Sequence, residues 1–282
     1  MQLTHYLITR FNIVQSWYFS CAEKGRGTAI QTDEWLDNRF MLFERYCFPS
    51  VKSQTATFTW LVLFNSETPE RYRQRIAAYQ RQMPNFVPLF LQPYGDETAI
   101  VKQYISSHCN TDYLLTTRMD NDDMLHTDYL MWIQQAATPT DHRMILNYAE
   151  GYQYDVKRKV IYRMYYPDNH YFSVLEPNTL DYHTCLGIDH SDLSLYGEYT
   201  ELPTNNGGGW IEVLHSHNVA NHRHCLSPVR RFPKNMFATF LPLSIWMYAI
   251  DTIRFKTQRF RHWFSHKFDK HIMQRIRKIC NL

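Results

Sequence analysis

At 282 residues with 44% hydrophobic content, the chain has the material for one large packed domain or two small ones, and it is not a disordered polypeptide. Six scattered cysteines with no Cys-x-x-Cys pair argue against a thiolate zinc site and against a disulfide framework, so a reducing cytoplasm is the expected setting. The net charge of +3 hides an asymmetry, because residues 251–282 carry nine Lys and Arg against two Asp, which leaves an acidic body in front of a basic tail. The start, Met1-Gln2-Leu3-Thr4-His5, has neither the basic flank nor the apolar core of a signal peptide, and no apolar run reaches membrane-spanning length.

In chain order, Tyr6 to Thr9 reads as a first strand and Asp33 to Cys47 as a helix, with Trp35, Leu36, Phe40, Leu42, Phe43 and Tyr46 at helical spacing and Pro49 closing it. Phe58 to Phe64 is a second strand ending in the turn Asn65-Ser66-Glu67-Thr68-Pro69, and a polar helix follows from Glu70 to Met83. Phe86 to Leu91 is a short strand, Asp96 to His108 a helix with the stripe Ile100, Val101, Tyr104 and Ile105, and Tyr113 to Thr117 a fourth strand. Strands alternating with crossover helices predict an α/β fold with a mostly parallel sheet flanked by helices, whose ligands sit at the carboxyl ends of the strands. Further on, Met144 to Tyr154 and Val160 to Tyr166 read as a strand pair, and a loop through Asn205-Asn206-Gly207-Gly208-Gly209 precedes the strand from Trp210 to Asn218. Its three glycines suit a loop that opens over a site or a plain surface linker.

The fourth strand runs straight into Arg118-Met119-Asp120-Asn121-Asp122-Asp123. Three carboxylates at one strand end repel each other unless a cation neutralises them, and hard oxygen ligands point to magnesium or manganese. Alternation along the strand lets Asp120 and Asp122 point one way and Asn121 the other, an Asp-x-Asp clamp; a solvated acidic turn is the plainer alternative. A calcium loop of the EF-hand type is excluded, since Leu125 stands where glycine is required and Met131 where the twelfth-position Glu belongs. Arg10-Phe11-Asn12 and Asn65-Ser66-Glu67 end strands on the same rim, and neither a Gly-x-Gly-x-x-Gly nor a Walker loop occurs. The tyrosines that follow, from Tyr148 to Tyr171, suit either sugar stacking or packing within a sheet.

Taken together, Thr9-Arg10-Phe11-Asn12, Leu42-Phe43-Glu44 through Pro49-Ser50, Thr59-Trp60-Leu61-Val62, Thr116-Thr117-Arg118-Met119-Asp120-Asn121-Asp122-Asp123 and Trp210 through Asn218 resemble a bacterial family of rhamnosyltransferases, metal-dependent glycosyltransferases of the GT-A type. The resemblance covers the chain to about residue 220. It implies a GT-A domain over residues 1–222, followed by a helical extension over 223–282. By the same resemblance Asp120 and Asp122 hold a manganese or magnesium ion that bridges the donor diphosphate. Arg10, Asn12, Asn65, Arg118 and Asp120 line the nucleotide-sugar pocket, and His215, in a His-x-x-Asn element that also contains His217, completes the metal shell.

Glycosyl transfer from a nucleotide sugar expels a diphosphate whose developing charge a divalent ion stabilises, and an inverting enzyme also needs a carboxylate to take the acceptor proton. Candidates for that base are Glu150, Glu176, Asp181, Asp189 and Asp192, with Asp189 favoured and Glu176 next. Metal-dependent phosphoryl or nucleotidyl transfer is the competing reaction, and a membrane-associated carbohydrate-binding protein the competing non-enzyme. Expected partners are a nucleotide-diphosphate sugar, a glycan or lipid-linked acceptor and an anionic membrane surface, with no nucleic acid. Phe237 to Ile250 is apolar but too short to span a bilayer, whereas Ile253, Phe260, Trp263, Phe264, Phe268, Ile272, Ile276 and Ile279 recur at helical spacing among Arg and Lys, as in a basic amphipathic helix.

Overall fold

A computed structural model describes residues 1–15, 31–179, 181–203, 208–216, 218, 226–230, 232 and 236–279, with the backbone alone for residues 262 and 264–279. Strands β1 (Leu3–Arg10), β2 (Thr59–Asn65), β3 (Phe86–Leu91) and β4 (Tyr113–Arg118) form where they were expected, with β1 and β2 almost wholly buried as central parallel strands should be. Helices α1 (Asp33–Leu42), α2 (Phe48–Lys52), α3 (Glu70–Gln82) and α4 (Glu97–His108) occupy the connections. Side-chain caps start two of them: the Thr32 hydroxyl accepts from Trp35 N at 3.3 Å, and the Asp96 carboxylate accepts from Thr98 N and Ala99 N at 2.9 and 3.0 Å.

Pro49 does not close the first helix. A π-helical segment, Phe43–Cys47, joins α1 to α2 and places Pro49 in the first turn of α2, where a missing N–H is tolerated. The run Met144 to Tyr154 is likewise two strands, β6 (Met144–Asn147) and β7 (Glu150–Asp155), because Tyr148 and Ala149 carry the chain from one sheet to another.

The larger sheet also contains β9 (Ser173–Pro177) and β10 (Glu198–Glu201), in the order β10-β6-β9-β4-β1-β2-β3. Only β9 runs antiparallel to its neighbours among these described strands. This is the α/β class with a mostly parallel, helix-flanked sheet that the alternating pattern predicted. One face packs α1 to α3 through Phe11, Phe40, Phe43, Trp60 and Tyr79, and the other packs α4 through Ile8, Leu61, Val101 and Ile105. A further helix, α5 (Tyr129–Ala136), covers the first of these faces with Tyr129, Leu130 and Ile133.

The smaller sheet has the order β12-β8-β7-β11-β5, formed by β5 (Met124–Leu125), β7, β8 (Val160–Tyr165), β11 (Trp210–Leu214) and β12 (Ser227–Pro228). Its packing extends beyond the boundary expected at residue 222. Phe237 and Leu241 are buried with Tyr152, Tyr154 and Ile211, and Pro228 pairs with Tyr162. The final helix, α6 (Ile245–Ile279), is anchored by Asp251, which is 3% exposed and accepts from Arg158 at 2.8 and 2.5 Å and from the Tyr162 hydroxyl at 2.6 Å. No helix among the described residues is long and apolar enough to cross a membrane. The three described cysteines, Cys47, Cys109 and Cys185, are buried free thiols.

Two glycines on the smaller sheet are sterically required. Gly208 has φ +52°, and a Cβ on Gly151 would lie 2.3 Å from the Trp210 indole. That indole donates to Tyr148 O at 2.7 Å and stacks on Tyr171 at 4.6 Å, so it has no room to retreat. Gly151→Ala is expected to cost about 1–3 kcal/mol through overpacking, a melting-temperature fall of several degrees; an unchanged melting temperature by calorimetry would contradict this packing.

Candidate active site

Strand β1 is flanked by β2 on one side and β4 on the other, so the chain reverses its direction of winding between β1 and β4. A crevice opens at the carboxyl ends of strands at such a switch point, and the acidic cluster stands there. Asn121 pins the rim by donating to Arg10 O and Phe11 O, both at 2.8 Å. The three carboxylates beside it meet partners from other elements, and Asp120 and Asp123 share His170.

Asp120 is the most accessible of the three, with 38% of its side chain exposed. It faces the Arg118 guanidinium at 3.7 Å and the His170 ring at 3.7 Å. Burial opposes its ionisation, but His170 and Arg118 outweigh burial and hold the carboxyl below its ordinary range. Asp122 is buried, and one of its oxygens accepts from Arg39 Nη1 and meets His215 Nε2, each at 2.7 Å. Burial again opposes ionisation, yet Arg39 and His215 prevail and keep Asp122 a carboxylate. Asp123 has no exposed surface; it accepts from Val213 N at 2.7 Å and from the Tyr171 hydroxyl at 2.8 Å, and meets His170 Nε2 at 3.1 Å. Burial dominates here and raises its carboxyl to about 6. His170 is buried as well, a condition that favours the neutral ring, but Asp120 and Asp123 reverse the balance and raise its pKa.

The donor set suits a hard divalent ion. The ligand atoms of Asp120, Asp123 and His170 lie within 4.8 Å of one another, and ligands held at about 2.1 Å by one octahedral ion are about 3–4 Å apart. Asp122 and His215, 93 residues apart in sequence, meet from the other side at slightly less than that separation.

Not every expected site residue converges here. Arg10 pairs bidentately with Glu97, the first residue of α4, at 2.6 and 2.7 Å. Asn12 and Asn65 are buried in a turn network in which Asn12 accepts from Asn65 N at 3.1 Å and donates to the Thr68 hydroxyl at 3.0 Å. Glu176 lies at the opposite end of β4, paired with Leu114, where Arg143 and the His183 and Thr184 amides bond it. Asp189 is exposed and accepts from Ser191 N at 3.0 Å; its neighbour His190 has its ring 6.0 Å from that of His170. His215 N donates to Asn218 Oδ1, which joins the two ends of the His-x-x-Asn element, while His217 lies outside the described residues. Arg39, His170 and Tyr171 carry no sequence signal that links them to the cluster; Arg39 sits on a helix 83 residues before Asp122, and Tyr171 lies 48 residues after Asp123.

An acidic strand end at the switch point of an α/β sheet, met by two imidazoles and an arginine, gathers the side-chain types that bind charged ligands. Residues 4–225 match the family described as "Putative rhamnosyl transferase", and the chain belongs to that family. The family's description is that of a glycosyltransferase. Similar solved structures include a mannosyltransferase from Pyrobaculum calidifontis in complex with GDP-Man and Mn2+, at 10% identity and TM-score 0.36, covering 74% of this chain and 56% of that one. The chain thus spans little more than half the length of that protein. Another is a Bacillus anthracis protein described as a "Putative Glucose-1-Phosphate Thymidylyltransferase" in complex with a sucrose, also at 10% identity and TM-score 0.36, with coverage of 74% and 88%. Neither likeness bears on substrate or mechanism. No curated protein matches the chain.

Proposed function

We propose that the protein transfers a sugar, rhamnose by family, from a nucleotide-diphosphate donor to a glycan or lipid-linked acceptor with inversion, using Mn2+ or Mg2+ held by Asp120, Asp122 and His215. The observation that carries this reading is the 2.7 Å meeting of Asp122 and His215 at the switch point, beside an accessible Asp120. Asp123 is less suited to ligation, since both its oxygens already serve Val213 N, Tyr171 and His170. The group Asp120, Asp123 and His170 is the second possible ligand set, favoured by the mutual proximity of its three atoms.

When bound, the ion supplies Lewis-acid stabilisation of the departing diphosphate. The chain supplies the rest. Arg118, beside Asp120, adds positive charge where the diphosphate sits, and Arg39 keeps Asp122 ionised and oriented. Asp189 is the proposed base, an exposed carboxylate next to His190, whose ring is 6.0 Å from that of His170.

A thermal-shift panel of nucleotide sugars tests the reading. The cognate donor is expected to raise the melting temperature only with Mn2+ or Mg2+ present, because a ligand that binds the native state alone stabilises it. Equal stabilisation by the donor in excess chelator would overturn the metal-dependent reading.

A further inference from the structure

Helix α6 presents two unlike faces. Tyr248, Asp251, Thr252 and Phe255, at helical spacing, are buried or half-buried where the helix docks, and the Asp251 contacts with Arg158 and Tyr162 fix which face that is. Trp246, Ile250, Ile253 and Phe260 recur at i+4, i+3 and i+7 on the opposite face, with Trp246 80% and Ile253 65% exposed. Soluble proteins seldom leave two such residues on one bare stripe. Exposed cations border it, with Arg254 and Arg261 to one side and Lys256 to the other at 100° per residue, and residues 252–261 contain no acidic side chain.

We propose that this face seats the protein on an anionic lipid surface, with the helix lying in the plane of the headgroups. Charge selects this occupant over a second copy of the chain. Two such stripes packed together would bring Arg254, Lys256 and Arg261 against their own duplicates, whereas anionic headgroups neutralise them. The protein's own core cannot cover the stripe, because Asp251 commits the other face to the smaller sheet. Among the described residues α6 is not apolar enough over a spanning length to cross a bilayer. The inference does not depend on the donor, the metal or the base.

Co-sedimentation of the full-length chain with vesicles tests it. The protein is expected to pellet with phosphatidylglycerol vesicles, to remain in the supernatant with phosphatidylcholine alone, and to be released by high salt. Each cation near the surface contributes about 1 kcal/mol, or about fivefold in partition, so the double variant Lys256→Ala, Arg261→Ala should bind about thirtyfold more weakly. Trp246→Glu with Ile253→Glu should abolish pelleting and leave the melting temperature unchanged, since both side chains are exposed. Wild-type protein that ignores phosphatidylglycerol, or pellets equally with the neutral lipid, overturns the proposal. So does a wild-type dimer that the glutamate pair converts to monomer, because a second copy then covers the face.

Discussion

Asp122→Asn is expected to lower glycosyl transfer at least a hundredfold, because Lewis-acid stabilisation of a leaving group is worth several kcal/mol and about 3 kcal/mol already exceeds a hundredfold in rate. The substitution removes the charge that a divalent ion requires at nearly constant volume. It also disturbs the fold. Arg39 loses its charged partner and is left with the Asn121 oxygen at 3.0 Å, so a lower melting temperature should accompany the loss of rate. Turnover must therefore be measured well below the new transition. The decisive readout is the Mn2+-dependent thermal shift, which should disappear in Asp122→Asn and in His215→Ala. Should it survive in both and vanish in His170→Ala, the ion belongs to the Asp123 side. Unchanged turnover at saturating donor removes Asp122 from the metal site altogether.

Asp251→Ala should be among the most destabilising single changes in the chain, costing about 3–5 kcal/mol. It removes the acceptor for the Arg158 guanidinium and the Tyr162 hydroxyl and leaves both facing a space from which the carboxylate had excluded water. At roughly 2–4 °C per kcal/mol for a chain of this order, the melting temperature should fall by roughly 6–20 °C. Replacing the pair together, Asp251→Leu with Arg158→Leu, should recover part of the loss, because apolar neighbours tolerate the missing charges better than either charge tolerates solitude. A single-variant cost below about 1 kcal/mol, from urea unfolding, would show that α6 is not anchored there. Such a result would also free its lipid-facing stripe to turn inward.

The features that were legible in the chain are those with local causes. β1, β2, β3 and β4 are short apolar runs bounded by turn residues, and they formed where the runs stand. Local rules failed where tertiary context intervened. Pro49 reads as a helix stop because nothing in the residues announces the π segment before it. Met144 to Tyr154 reads as one strand because alternation is blind to a change of sheet between Asn147 and Glu150. β9 went unread, although Ser173 to Leu175 is inserted between β4 and β6 and turns an all-parallel sheet into a mixed one. In the site, Asp120 and Asp122 were visible as chemistry and His215 through the family resemblance, whereas Arg39 and His170 come from a helix and a loop whose approach no spacing encodes. Asn12 and Asn65 look like pocket groups on the strand ends, but each is consumed by the turn it builds.

The register of β5 against β11 governs more than the smaller sheet. Met124 pairs with Ile211 and Leu125 with Trp210, and the same antiparallel alignment carries Val213 N to Asp123 and His215 to Asp122. Side chains alternate along a strand, so a slip of one residue would present Leu214 or Ser216 in place of the imidazole. His170 reaches the acidic cluster from the loop before β9, whereas His215 arrives only when β11 is seated in one alignment. Any ligand that bridges Asp122 and His215 therefore also clasps β11 to the body, so occupancy of the site and closure of the fold become a single equilibrium observed from two ends.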